Sequence, residues 1–309
     1  MRIAVIDIGT NTINLAIASI SDDSYQIIYS AKEPAKLGKG GINDCVILPE
    51  AIERGIESIG RHIETIKQFN VDKTIAIGTS IMRNATNGLD FAEQIKSLFG
   101  INVKIISGDE EAQMIFDGVK QVMPIGADRV LILDIGGGSN EFIIANKNGI
   151  IWKKSFELGL ARIIDKFHPS DPITQPEIKA IENYLRSELT PLYEALHNYP
   201  TTTLIGTSGS FDTIAAIVAG NKHPNFNVKL ATSYEITVPN FEELHRKIIS
   251  STLEQRKAMN FMDPSRVELI IPGTIFINFI VREMRIDKLS QCNYALKQGA
   301  VYQYINNLI

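Results

Sequence analysis

The sequence is poor in the features that announce the commonest chemistries. Two cysteines in 309 residues, Cys45 and Cys292, cannot build a disulfide framework and lack metal-site spacing. They read as reduced thiols, the usual state in the cytoplasm. The five histidines, at 62, 168, 197, 223 and 245, form no HxH or HxxxH pair, which argues against a histidine-ligated metal. No apolar run approaches the roughly 20 residues of a membrane span. The opening MRIAVIDIG is strand-like rather than leader-like. With 31 basic and 35 acidic residues the net charge is −4, so nothing global favours nucleic acid or an anionic membrane. The loops GxxxxGK[ST], GxSxG and GxGxxG are all missing.

What is present is a repeat. Residues 4–18 read AVIDIGTNTINLAIA and residues 131–145 read LILDIGGGSNEFIIA, so Asp7-Ile8-Gly9 falls on Asp134-Ile135-Gly136 at an offset of 127. A second pair, IAIGTS at 75–80 and TLIGTS at 203–208, has an offset of 128. Two similarities at nearly one spacing imply a duplicated domain. Each half opens with an apolar strand, a Gly turn and a second strand. A helix is expected over 49–67, where Ile52, Ile56, Ile59, Ile63 and Ile66 share one face. Then follow strand 74–79, helix 89–98, strand 102–106 and a helix from Glu110 towards Met123. In the second half, helices are expected near 176–195, 209–218, 240–260, 274–284 and 294–307. Alternating strands and helices give an α/β protein of two domains, 1–124 and 125–309, with the boundary in MPIGADR at 123–129.

Four constellations carry possible chemistry. The turn Gly9-Thr10-Asn11-Thr12 and its counterpart Gly136-Gly137-Gly138-Ser139 each follow an aspartate. Glycine tolerates φ > 0 and leaves amides unshielded, so consecutive N–H groups can make a nest for phosphate. Either turn alone is also an ordinary hairpin; both together suggest a two-sided clamp. In ISGDEEAQMIF, 105–115, Asp109 is expected as helix N-cap with Glu110 and Glu111 in the first turn. One glutamate can then turn into the cleft as a general base. The run Gly206-Thr207-Ser208-Gly209-Ser210 is a strand-to-helix turn suited to an anion, and Arg83 of its counterpart GTSIMR is placed to reach a phosphate.

On these residues the sequence resembles the exopolyphosphatase / guanosine pentaphosphate phosphohydrolase family of the sugar kinase–Hsp70–actin superfamily. The matching segments run in order over nearly the whole chain: DIGTNTINL (7–15), GTSIMRNATN (78–87), ISGDEEAQMIFDGV (106–119), DIGGGSNEF (134–142), FELGLARI (156–163), GTSGSF (206–211), RVELIIPG (266–273) and YALKQGA (294–300). The resemblance implies two actin-like (ribonuclease H-like) domains with the active site in the cleft between them. It implies that Glu111 is catalytic, that Glu141 orients water or a metal, and that Arg83 belongs to the catalytic set. It also implies magnesium dependence and, by analogy, a homodimer; the expected cytoplasmic location rests on the two reduced thiols. The chain departs from the family pattern at Asn14, often an arginine, and at Ala295-Leu296-Lys297-Gln298-Gly299, where GLREG is usual. With the sequence ending at residue 309, the C-terminal extension of longer members is expected to be absent.

The function expected is hydrolysis of a terminal phosphoanhydride in polyphosphate, with pppGpp as the alternative substrate. Mg²⁺ would sit with Asp7, Asp134 or Glu141, the three glycine-containing loops would hold phosphates, and Glu111 would activate water. Two other readings stay open: an acetate- or sugar-kinase-like phosphotransferase, and a non-catalytic sensor of (p)ppGpp or polyphosphate.

Overall fold

The computed structural model describes residues 1–21, 24–223 and 227–309. The first half forms β1 (Arg2–Ile8), β2 (Ile13–Ser21), β3 (Ser24–Glu33), α1 (Pro49–Gln68), β4 (Lys73–Gly78), α2 (Ser80–Asn84), α3 (Gly88–Phe99), β5 (Val103–Ile105) and α4 (Gly108–Val119). The second forms β6 (Val130–Ile135), β7 (Asn140–Asn146), β8 (Gly149–Phe156), α5 (Leu160–Phe167), α6 (Gln175–Glu188), α7 (Thr190–Asn198), β9 (Thr203–Thr207), α8 (Ser208–Lys222), β10 (Ser233–Ile236), α9 (Val238–Ile249), α10 (Leu253–Lys257), α11 (Ile270–Glu283), β11 (Lys288–Cys292) and α12 (Leu296–Ile305).

Both halves build the same sheet. The first has strand order β3-β2-β1-β4-β5 and the second β8-β7-β6-β9-β11, with β10 added at the far edge. In each, the first three strands are antiparallel and the next two run parallel to the first. The likeness extends to defects. The register slips between Ile17 and Ala18 on β2, and between Ile144 and Ala145 on β7, positions related by the same 127-residue offset. A bulge kept in both copies is a designed bend of the sheet rather than an accident. The fold is therefore the expected α/β pair of related domains.

The helices correct several expected spans. The run 176–195 is two helices, because Pro191 has no amide to continue α6 and instead opens α7. The run 240–260 is also two, since Thr252 and Gln255 form a capping box that starts α10 afresh. Helix α8 reaches Lys222, four residues beyond the expected end. Strands β3, β8, β10 and β11 and helices α2 and α5 had no counterpart in the sequence reading. On β3 inward and outward residues alternate, so half of its side chains face solvent.

Helices α4 and α12 pack on one another between the sheets, with α12 resting on β1 and α4 on β7 and β8. One apolar core runs through all these parts. It includes Ile3, Val5 and Ile77 of the first sheet, Met114, Ile115 and Val119 of α4, Ile132, Ile143 and Ile205 of the second sheet, and Ala300 and Val301 of α12. The two helices approach closely because Gly118 lies against the Ala295 carbonyl and Gly299 against that of Met114, leaving no room for a Cβ at either place. Among the described residues no helix is long and apolar enough to cross a membrane, and Cys45 and Cys292 are unpaired.

Candidate active site

The two hairpin turns are built alike. Gly9 N donates to Thr12 O at 3.1 Å and Gly136 N to Ser139 O at 3.0 Å, closing each turn. Those two amides are thus spent within the turns, and the amides between them remain to meet a ligand. The glycines do not adopt φ > 0, contrary to the reason the sequence suggested. Their role is close approach: a Cβ on Gly138 would strike the hydroxyls of Thr10 and Ser80, so the triglycine turn lies directly against the first half.

Behind each turn stands a cross-strand pair. Asp7 faces Asn14 and Asp134 faces Glu141. Asn14 Nδ2 donates to Asp7 Oδ2 at 2.9 Å, whereas Glu141 Oε1 accepts from Ser139 Oγ and Ser155 Oγ, each at 2.7 Å. Glu141 is buried behind Ser139 and does not line the cleft.

Glu111 reaches the cleft because of how α4 begins. The N-cap is Ser107, not Asp109: its hydroxyl accepts from Glu110 N at 3.2 Å, and the Glu110 carboxylate accepts from Ser107 N at 2.9 Å. That capping box occupies Glu110 and leaves Glu111, one residue further round the helix, to turn inward, where it is 7% exposed. Arg83 Nη1 donates to Glu111 Oε2 at 3.0 Å and to Ile106 O at 3.0 Å. Arg83 is thereby committed to a protein carboxylate and does not line the cavity.

The third loop contributes less surface than expected. Only Ser208 and Gly209 face the cavity, while Gly206, Thr207 and Ser210 do not. Thr207 Oγ1 donates to Asp134 Oδ2 at 2.6 Å, and Ser208 Oγ donates to both Asp134 oxygens at 2.8 and 2.7 Å. Ser208 sits at φ 71, in the left-handed region that favours glycine, and its bonds to Asp134 help to hold it there. This loop therefore fixes the aspartate as much as it offers an anion site.

The two turns, with Asp7, Asn14, Glu111, Asp134, Ser208 and Gly209, line a cavity of about 470 Å³ that also takes in Lys32, Asp212, Arg266, Asn293 and Lys297. The three cations Lys32, Arg266 and Lys297 were not picked out from the sequence as site residues. Arg266 and Lys297 did lie within segments recognised for the resemblance, RVELIIPG and YALKQGA, and Lys297 stands there in place of the usual arginine. Arg266 packs against Gly209, and its Nε, among the described residues, finds no partner.

Burial sets the electrostatics. It pushes the Asp7 carboxyl up to about 6, against the charge of Lys297 and the bond from Asn14, and raises Asp134 against its Thr207 and Ser208 bonds. It pushes Glu111 up to about 8, with Arg83 opposing. Glu141 rises through burial and then the charges of Glu111 and Asp134. Lys297 is lowered by burial and sustained by Asp7 and Asp212. Among the described residues no three His, Cys, Asp or Glu side chains could hold an ion unaided. Two buried, incompletely compensated carboxylates, Asp7 and Asp134, instead fit a magnesium ion that draws its other oxygens from phosphate and water.

Comparison with known proteins agrees with this fold. The sequence profile of the Ppx/GppA phosphatase family matches residues 16–308. The crystal structure of an exopolyphosphatase from Cytophaga hutchinsonii superposes with a TM-score of 0.97 at 35% identity, covering 100% of this chain and 99% of its own. The PPX-GPPA enzyme of Aquifex aeolicus aligns with a TM-score of 0.79 at 25% identity, covering 98% and 99%. A Haemophilus influenzae protein provisionally named an exopolyphosphatase is 26% identical over 306 residues, 99% of this chain and 92% of its own.

Proposed function

The chain belongs to the Ppx/GppA phosphatase family, and from that membership we propose that it removes terminal orthophosphate from inorganic polyphosphate. The observation that carries this reading is Glu111, a buried carboxylate in the wall of a cleft whose other walls are the two amide-rich turns. Phosphoryl transfer needs little covalent help from a protein; positioning and charge stabilisation suffice.

The turns at 10–12 and 137–139 bind the terminal and penultimate phosphates through backbone amides and the hydroxyls of Thr10, Thr12 and Ser139. Lys32, Arg266 and Lys297 offset phosphate charge. Glu111 accepts a proton from water as the water oxygen bonds to the terminal phosphorus. The bond from that phosphorus to the bridging oxygen breaks, and the shortened chain leaves with the electron pair. Burial raises the Glu111 carboxyl to about 8 with Arg83 opposing, and a raised value gives a carboxylate more basic strength towards the proton of water. Asp7 and Asp134 would hold Mg²⁺, which when bound would offset the negative charge on the phosphate oxygens. The exposed Cys45 thiol suits a reducing compartment, and we assign the protein to the cytoplasm on that ground.

One observation favours pppGpp as a second reading. A second cavity, of about 610 Å³, shares Thr10 and Asn11 with the first; beside charged residues such as Lys36 and Arg256 it has an apolar part, Ala161, Ile164, Leu253, Leu269 and Ile271, that a phosphate chain does not need and a nucleoside can use. The test is phosphate release by purified protein with Mg²⁺ from short polyphosphate, long polyphosphate, pppGpp and ATP. Release from polyphosphate is expected. Release from pppGpp alone moves the substrate to the second reading, and release from none of them overturns both.

A further inference from the structure

The segment FELGLARI, 156–163, has no part in the steps above, yet its two charged residues meet the catalytic apparatus from the second half of the chain. Glu157, just beyond β8, accepts from Arg83 Nη2 at Oε1, 3.4 Å away. Its Oε2 accepts from Ser80 Oγ at 2.8 Å and from Arg162 Nη2 at 3.0 Å. Arg162, on α5, donates from Nε to the Gly138 carbonyl at 2.9 Å and from Nη1 to the Ile42 carbonyl at 2.9 Å. A continuous path therefore runs from Glu111 through Arg83, Glu157 and Arg162 to the triglycine turn, crossing between the halves.

The geometry points to Glu157 as a positioning residue that holds the Arg83 guanidinium in the orientation Glu111 requires and ties it to the phosphate turn. Arg83 Nη1 serves both Glu111 and the Ile106 carbonyl, so Glu157 is the fixing point at the other nitrogen. A planar guanidinium held at both ends of its fork cannot swing, whereas one held at a single nitrogen can. Through Arg162 the same carboxylate restrains the Gly138 carbonyl, so the base and the phosphate-binding amides share one anchor. Glu157 is 42% exposed, and ion pairs in such places add little to stability, so its value lies in orientation. This inference rests on the reading of Glu111 as the base.

The test is steady-state turnover of Glu157→Gln in the full-length protein, with melting temperature measured alongside. Glutamine keeps the length of the side chain but cannot accept from both arginines. We expect kcat to fall by roughly 10–100-fold, the scale of a misplaced catalytic group, with KM within about threefold of wild type and the melting temperature unchanged. In a Glu111→Gln background the same substitution should cost nothing further, because residues acting through one another are not additive. Unchanged kcat, losses that multiply in the double variant, or a loss of kcat that follows a loss of thermal stability would each overturn the inference. If Glu111→Gln alone retains full turnover, the base reading falls and takes this inference with it. That result differs from an inactive Glu111→Gln beside a wild-type Glu157→Gln, which removes only the positioning role.

Discussion

Asn14 stands across the first hairpin from Asp7 and donates to its carboxylate at 2.9 Å, the place that Glu141 occupies opposite Asp134 in the second hairpin. The duplicated pair has thus diverged to one neutral partner and one acidic partner. The arginine expected at position 14 is replaced by a residue that orients Asp7 without cancelling its charge. The nearby cation is Lys297, which sustains the aspartate from the first turn of α12.

Replacing Glu111 by glutamine should lower kcat by about 10²–10⁴-fold, the usual contribution of a general base. Stability should move the other way. Burial raises the carboxyl to about 8 in the folded chain, against its ordinary 4.5 when unfolded. Its neutral form therefore favours the fold fully below the unfolded value, and that advantage is lost as pH rises through the folded one. Glutamine is neutral throughout, so the variant should melt above the wild type at pH 9 and nearly with it at pH 5. Parallel melting curves at both pH values would show that Glu111 is not strained by burial.

Removal of divalent cations by a chelator should abolish phosphate release, and Mg²⁺ should restore it. Asp134→Asn keeps the size of the side chain but removes the charge a hard cation needs and turns one of the two oxygens that accept from Thr207 and Ser208 into a donor. Its half-saturating Mg²⁺ concentration should rise roughly tenfold or more. A titration that coincides with wild type would take Asp134 out of the metal site.

Gly299→Ala tests the seam between α4 and α12. The added methyl would meet the Met114 carbonyl in a packed core, and overpacking of this kind costs about 1–3 kcal/mol. The melting temperature should fall by several degrees. An unchanged value would mean that the helices separate freely.

Much of this arrangement was legible because it is local. The paired DIG motifs specified both hairpins, and the isoleucine spacing of 52–66 specified α1 nearly to the residue. Glu111 was singled out only through the resemblance, as the second glutamate of SGDEEA; the residues alone left the choice of glutamate open and put the cap at Asp109, two positions past Ser107. What stayed hidden depends on distance in the chain. Lys32 from β3, Arg266 from the stretch before α11 and Lys297 from α12 reach one cavity from three separate places, and no spacing rule joins them. Arg83 was expected to meet phosphate. A guanidinium bears no mark in the sequence of whether a carboxylate 28 residues away will claim it first.

The α4–α12 seam also bears on how the protein is made. Its two glycines, 118 and 299, are 181 positions apart, so at roughly 5–20 residues per second a ribosome needs about 10–40 s to pass from one to the other. Throughout that interval the face of α4 that carries Met114, Ile115 and Val119 has been synthesised but its partner has not. A nascent chain with this face bare is a natural client for chaperones, and the cleft can be completed only when Lys297 and α12 arrive.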